Sequence, residues 1–181
     1  MTMSAQDSKN NDIINNINVK TLGESFRRIK ENPSKALEKL KINVKWRLVK
    51  NYPQIYSEIV AEKAPLILES ELQTFLGGKG IRPTPMQYFF YGVAASYLST
   101  IMLILSEKGI HASDAKLELE AEVDYSRLAG ISENRDPIKR VLIYLQLKCD
   151  LPEEELLKLI EDAKMRCPVF SPMNLEIKLK R

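Results

Sequence analysis

Apolar and polar positions change their period several times along the chain, and each change marks a boundary between elements. Ile42, Val44, Trp46 and Leu48 alternate with Lys41, Asn43, Lys45 and Arg47, the period-two pattern of a half-buried strand. Asn51-Tyr52-Pro53 reads as a turn, and two further strands are expected near 55–61 and 66–72. From Met86 to Leu105 no residue is charged, which predicts a helix that is apolar all round. Beyond it Leu117, Leu119, Ala121 and Val123 alternate with Lys116, Glu118, Glu120, Glu122 and Asp124, a strand with one wet face. After a polar loop over 126–136, Val141, Ile143, Leu145, Leu147 and Cys149 line one face of the next strand. Asp150 and Pro152 then open a helix with Glu153, Glu154 and Glu155 in its first turn, where the helix dipole favours negative charge. Its apolar stripe is Leu156, Leu159, Ile160, Ala163 and Cys167. Leu175, Ile177 and Leu179 close the chain as a last amphipathic strand.

The start of the chain follows other rules. Residues 1–18 are polar and read as a flexible tail, without the apolar stretch of a signal peptide. Thr21 and Glu24 are spaced as a capping box for a helix with Leu22, Phe26 and Ile29 on one face. Asn32-Pro33 ends that helix, and a short second helical piece is expected over 34–40. The organisation is therefore a tail over 1–18, a helical extension over 19–40 and a main domain over 41–181. Strand meander, long helix, two strands, helix and last strand make the class α+β.

Composition narrows the function classes. A net charge of +3 with interleaved lysines and glutamates offers no basic stripe, so no nucleic-acid partner is expected. The uncharged run could span a bilayer at about 1.5 Å per residue. Gln87, Ser96, Ser99 and Thr100, with strand-rich sequence on both sides, favour a soluble core helix and no membrane. Two cysteines without a secretory signal favour a reducing, cytoplasmic setting. One histidine and two scattered cysteines leave no zinc site, and no cofactor is expected. Gly77-Gly78-Lys79-Gly80 lacks the strand-to-helix spacing and terminal Lys-Ser/Thr of a phosphate cradle, and reads as a flexible loop. Cys149 and Cys167 flank a helix that holds them about 20 Å apart, too far for a disulfide. Cys149 reads as a core residue.

Two motifs carry a resemblance. Gly77-Gly78-Lys79-Gly80-Ile81-Arg82-Pro83-Thr84-Pro85, followed by the small-residue patch Gly92-Val93-Ala94-Ala95-Ser96, resembles the central helix of the OsmC/Ohr family of osmotically induced and organic hydroperoxide resistance proteins. Asp162-Ala163-Lys164-Met165-Arg166-Cys167-Pro168-Val169 resembles the second cysteine motif of the same family. The similarity covers about residues 40–181. It implies an OsmC-like fold, two long central helices wrapped by antiparallel sheets in an intertwined homodimer with sites between subunits. The small patch suits close approach of backbones there, or simple helix packing.

The resemblance also implies a chemistry and a defect in it. Family enzymes reduce organic hydroperoxides with a thiolate that becomes a sulfenic acid and then a disulfide with a second thiol. In this chain the attacking position is Ser96, the glutamate position ten residues earlier is Met86, and the second thiol is Cys167. Arg47 and Arg82 are candidates for the family's arginine. A serine hydroxyl is not oxidised by peroxide, and a methionine cannot hold a thiolate partner in charge. The two-cysteine cycle is expected to fail. The expected protein is a homodimer related to thiol-dependent hydroperoxide reductases of oxidative-stress defence, holding a small apolar ligand, an organic hydroperoxide or a protein partner at the subunit interface. The alternative is a single-cysteine thiol peroxidase or redox-sensitive protein using Cys167; a purely structural or regulatory subunit is the third reading. Cys167 extends a buried stripe, as an inert core thiol would. It also precedes Pro168, where a helix stops and free N–H groups could lower a thiol pKa. Ser96 as a hydrolytic nucleophile would need a base, and His111 lies roughly 15 Å or more along the chain, as a surface residue near a strand start.

Overall fold

The period changes become seven strands and three α-helices in the computed structural model, which describes residues 12–60, 62–131, 133 and 136–171. In chain order these are β1 (Ile13–Ile14), β2 (Ile17–Asn18), α1 (Val19–Glu31), β3 (Val44–Trp46), β4 (Ile55–Val60), β5 (Pro65–Ser70), α2 (Pro85–Glu107), β6 (Ala112–Val123), β7 (Ile138–Cys149) and α3 (Glu153–Arg166). Short 3-10 turns lie at Pro33–Ala36, Thr74–Leu76 and Pro168–Phe170. Every strand pair is antiparallel, and the class is α+β. The strand expected around Leu175, Ile177 and Leu179 lies outside the described residues. The fold divides into two compact units, Met1–Lys30 with Val93–Arg181, and Glu31–Gly92.

The larger unit is built on the β6–β7 hairpin. Alternation sets its register: Leu117 faces Leu145 and Leu119 faces Ile143, so one side of the sheet is apolar. That side packs on a core of Tyr97, Ile101, Ile104 and Leu105 from α2, with Leu159, Ala163 and Cys167 from α3 and its end. Truncating Ile101 or Leu105, both fully buried, would cost about 2–5 kcal/mol. The expectation of a helix buried all round is corrected here. The buried residues of α2 are Tyr97, Ile101, Ile104, Leu105 and Ser106, all beyond its first half, whereas Tyr91 is 71% exposed. A hairpin and one helix cover only a sector of a helix of 23 residues. By length and composition α2 is also apolar enough to cross a membrane.

Two readings of the N-terminal sequence are also corrected. Residues 12–18, assigned to the tail, form the β1–β2 hairpin, with Asn15 and Asn16 at positive φ in its tight turn. Asn side chains tolerate that backbone region, which a count of polar residues does not register. Asn15 then ties the turn to the far end of α2: its Nδ2 donates to Ser106 Oγ (3.1 Å) and Ile110 O (2.9 Å), while Ala112 N–H donates to its Oδ1 (2.8 Å). The helix cap is Asn18 rather than Thr21, since Thr21 N–H donates to Asn18 Oδ1 at 2.8 Å. Leu22, Phe26 and Ile29 are the half-buried face of α1, as their spacing predicts.

In the smaller unit β3, β4 and β5 form a meander. The expected strand over 42–48 shortens to three residues, and its apolar side chains are exposed among the described residues: Trp46 is 53% and Leu48 88% exposed. The helical piece expected over 34–40 shrinks to the 3-10 turn Pro33–Ala36. The glycine loop is held rather than free. Glu71, 1% exposed, accepts N–H bonds from Lys79 (2.9 Å) and Ile81 (3.4 Å), so those donors serve a carboxylate of the chain itself. Gly78 passes so close to the backbone that a Cβ would sit 1.7 Å from Leu72 O.

Candidate functional site

One partner of the site lies midway along a helix and the other at a helix end. Thr84 and Gln87 form a reciprocal capping box at the start of α2, Thr84 N–H donating to Gln87 Oε1 (2.8 Å) and Gln87 N–H to Thr84 Oγ1 (3.2 Å). Pro85 opens the helix where a missing N–H costs nothing. Three turns on, α2 presents Ser96. At the other side α3 stops at Arg166 because Pro168 forbids continuation, and Cys167 is its C-cap, donating its N–H to Ala163 O (3.0 Å).

The middle of α2 and the end of α3 bring Ser96 and Cys167 together. Ser96 Oγ lies 3.6 Å from Cys167 Sγ, within hydrogen-bonding distance for a sulfur partner, with either atom able to donate. Thr100 Oγ1 donates to Ser96 O at 2.9 Å, one turn along the helix. Cys167 is 3% exposed and both cysteines are free thiols. The local amides do not serve its sulfur: its own N–H goes to Ala163 O and Phe170 N–H goes to Cys167 O. The sulfur therefore lies at the C-terminal end of α3 with Ser96 Oγ as its hydrogen-bonding neighbour. Cys149 packs against the same core from β7.

Tyr97 and Phe170, neither singled out by sequence, frame the pair. Their rings meet edge to face with centroids 5.1 Å apart. Tyr97 donates its hydroxyl proton to Ile160 O at 3.0 Å. Burial pushes the Tyr97 phenol above its ordinary pKa of 10.0, and the negative fields of Glu161 and Cys167 add to the rise. Both rings also line a cavity of about 340 Å³ completed by Val141, Ile143, Leu145, Ile160 and Lys164. Its apolar wall is the β7 face read from alternation. Its assembly from three distant segments has no local signal in the chain.

Arg47 and Arg82 belong to the smaller unit, where both grip Glu69 at 2.9 Å. The Arg47 guanidinium stacks over the Tyr56 ring (4.6 Å to its centroid) and Tyr52 (5.5 Å). The bonds from Arg47, then those from Arg82, hold the Glu69 carboxyl below its ordinary range. Met86 lies in the first turn of α2, half-buried. His111 is exposed, just ahead of β6, and Ser96 has Cys167 rather than an imidazole as its side-chain partner. Arg166, next to Cys167, points its guanidinium to Asp162 (2.7 Å) and Glu107 (3.7 Å).

Residues 77–180 match the family described as OsmC-like protein. The curated proteins compared with the chain include no match. Among solved structures, an OsmC-like protein of Vibrio cholerae aligns at TM-score 0.55 and 8% identity, over 74% of this chain and 92% of that one. An organic hydroperoxide resistance protein of Legionella pneumophila aligns at TM-score 0.50 and 20% identity, over 74% and 88%. A protein of Psychrobacter arcticus named for osmotic stress induction and detoxification aligns at TM-score 0.50 and 14% identity, over 74% and 87%. At such identities the likeness is one of fold.

Proposed function

Because the chain belongs to the OsmC-like protein family, we propose that it is a homodimeric member that has lost two-cysteine hydroperoxide reduction and retains the site as a binding pocket for a small apolar ligand. The observation that carries this reading is the 3.6 Å contact between Ser96 and Cys167. It is the separation at which two thiols could close a disulfide after small rotations, yet one side holds a hydroxyl. Oxidation of the pair would leave a sulfenic acid with no thiol beside it. Met86 at the position of the family's glutamate removes a second part of the same cycle. The cavity walled by Tyr97, next to Ser96 in sequence, and Phe170, three residues beyond Cys167, supports ligand binding.

Dimerisation is supported by apolar strand residues that the described residues leave exposed. Val44 and Trp46 on β3 and Leu48 beyond it are exposed, as are Leu66 and Ile67 on β5. Exposed apolar strand surface of this kind is characteristic of an interaction face. The free, reduced cysteines suit a reducing, cytoplasmic setting. Sedimentation of the full chain at micromolar concentration tests the assembly, and a stable monomer would overturn it.

One observation favours a second reading, in which Cys167 alone is redox-active: the Ser96 hydroxyl can donate to a thiolate at 3.6 Å. In that cycle the thiol and a hydroperoxide give a sulfenic acid and an alcohol. An outside thiol then forms a mixed disulfide with loss of water, and a second outside thiol releases Cys167 as a thiol with a disulfide product. The sulfur is buried, which leaves an incoming hydroperoxide little access, so the binding reading is preferred. Steady-state removal of cumene hydroperoxide with dithiothreitol separates the two. No turnover above background is expected; turnover that vanishes in Cys167→Ser would establish the second reading instead.

A further inference from the structure

Among the described residues, the lining of the cavity beside Tyr97 is apolar but for one side chain. Val141, Ile143 and Leu145 come from alternate positions of β7, and Ile160, Tyr97 and Phe170 close it from the helices. The Tyr97 hydroxyl is already spent on Ile160 O, so it adds an apolar ring and no free donor. Among the described residues of the lining, Lys164 is the single charged one. It stands one turn beyond Ile160 on α3, its side chain 59% exposed, with its ammonium 3.5 Å from Glu161 across a solvent-exposed ion pair. Such a pair is weak enough for a ligand anion to compete with it. A long aliphatic stem can lie on the apolar wall while its charge stays in water.

We propose that Lys164 sets the charge preference of this cavity, so that it takes an unbranched aliphatic monocarboxylate with its chain against β7 and its carboxylate at the Lys164 ammonium. The inference rests on the ligand-binding reading above and names the ligand class for it. The volume of about 340 Å³ suits a chain of medium length. Each methylene drawn into the slot should tighten binding about fourfold until the slot is full. The exposed ion pair should add about two- to fivefold over a neutral head group, a margin that shrinks as salt rises.

The test is calorimetric titration of the full-length protein with hexanoate, octanoate and decanoate, and with the alcohols of the same lengths. Wild type should bind both series with rising affinity, carboxylates ahead of alcohols by that margin. Lys164→Gln should leave the alcohols unchanged and erase the margin. Glu161→Gln, which frees the ammonium, should widen it. Ile143→Trp should abolish both series by filling the slot, with circular dichroism confirming the fold. Alcohols bound as tightly as carboxylates by wild type, or a margin surviving in Lys164→Gln, would overturn the role of Lys164 while leaving the cavity a ligand site. Failure of both series to bind would overturn the ligand-binding reading and this inference with it.

Discussion

Ser96 and Cys167, 71 positions apart in sequence, meet through their side chains at 3.6 Å, hydroxyl to thiol. A hydroxyl and a thiol from distant segments are neighbours in space, and the hydroxyl cannot be oxidised to a sulfenic acid.

Restoring a thiol at that position should therefore restore a bond. Ser96→Cys is expected to form a disulfide with Cys167 under mild oxidant, leaving Cys149 as the one titratable thiol. Closing a loop of that length should stabilise the fold by about 4 kcal/mol, less any strain in the bridge. Thiol titration and thermal melting with and without reductant check both parts. Three free thiols after oxidation would show that the side chains do not meet in solution.

Glu69 gives the smaller unit an acid-sensitive fastening. Its carboxyl, held below the ordinary value of 4.5 by Arg47 and then Arg82, is more acidic folded than unfolded. The stabilisation it gives is thus complete above pH 4.5 and is lost as pH falls through the lower folded value. Glu69→Gln should remove that part of the acid slope and lower stability at neutral pH. Urea melts at pH 7 and at pH 3 for both proteins measure it; equal slopes would contradict the assignment.

Two glycines should respond in opposite ways to the same substitution. At Gly78 a Cβ would collide with Leu72 O, so Gly78→Ala should destabilise by more than about 2 kcal/mol. At Gly23, inside α1, a Cβ meets nothing within 4 Å, and Gly23→Ala should stabilise by about 0.5–1 kcal/mol. Denaturant midpoints rank the three proteins.

Asn15 fastens the N-terminal hairpin to the end of α2 through three hydrogen bonds. Asn15→Gly keeps the left-handed turn, with φ 51° in the native residue, and removes only those bonds. It should cost about 1–3 kcal/mol and speed exchange of the Ala112 amide. Protection at Ala112 equal to that of wild type would mean that the hairpin is not the fastening.

Much of the fold was legible because alternation is a local property. Leu117 to Val123 and Val141 to Cys149 announce their strands, and the capping and stop signals around Pro85 and Pro168 announce the helix ends. The motifs around Ser96 and Cys167 were equally legible, since each lies within a dozen residues. Three readings missed for one shared reason: Asn15, Asn18 and Glu71 are polar residues whose meaning lies in particular backbone N–H groups they satisfy, which composition does not report.

By itself the sequence determined the class and the family, and it marked Ser96 and Cys167 as the residues to look at. The tertiary structure alone decided that Ser96 and Cys167 touch, that Arg47 and Arg82 share Glu69, and that Lys164 is the one charge among the described residues lining an apolar slot. The division has a physical cause. Periodicity and capping act over one to four turns of chain, whereas a pocket is the meeting of side chains from separate segments, brought together only when those segments bury a common core.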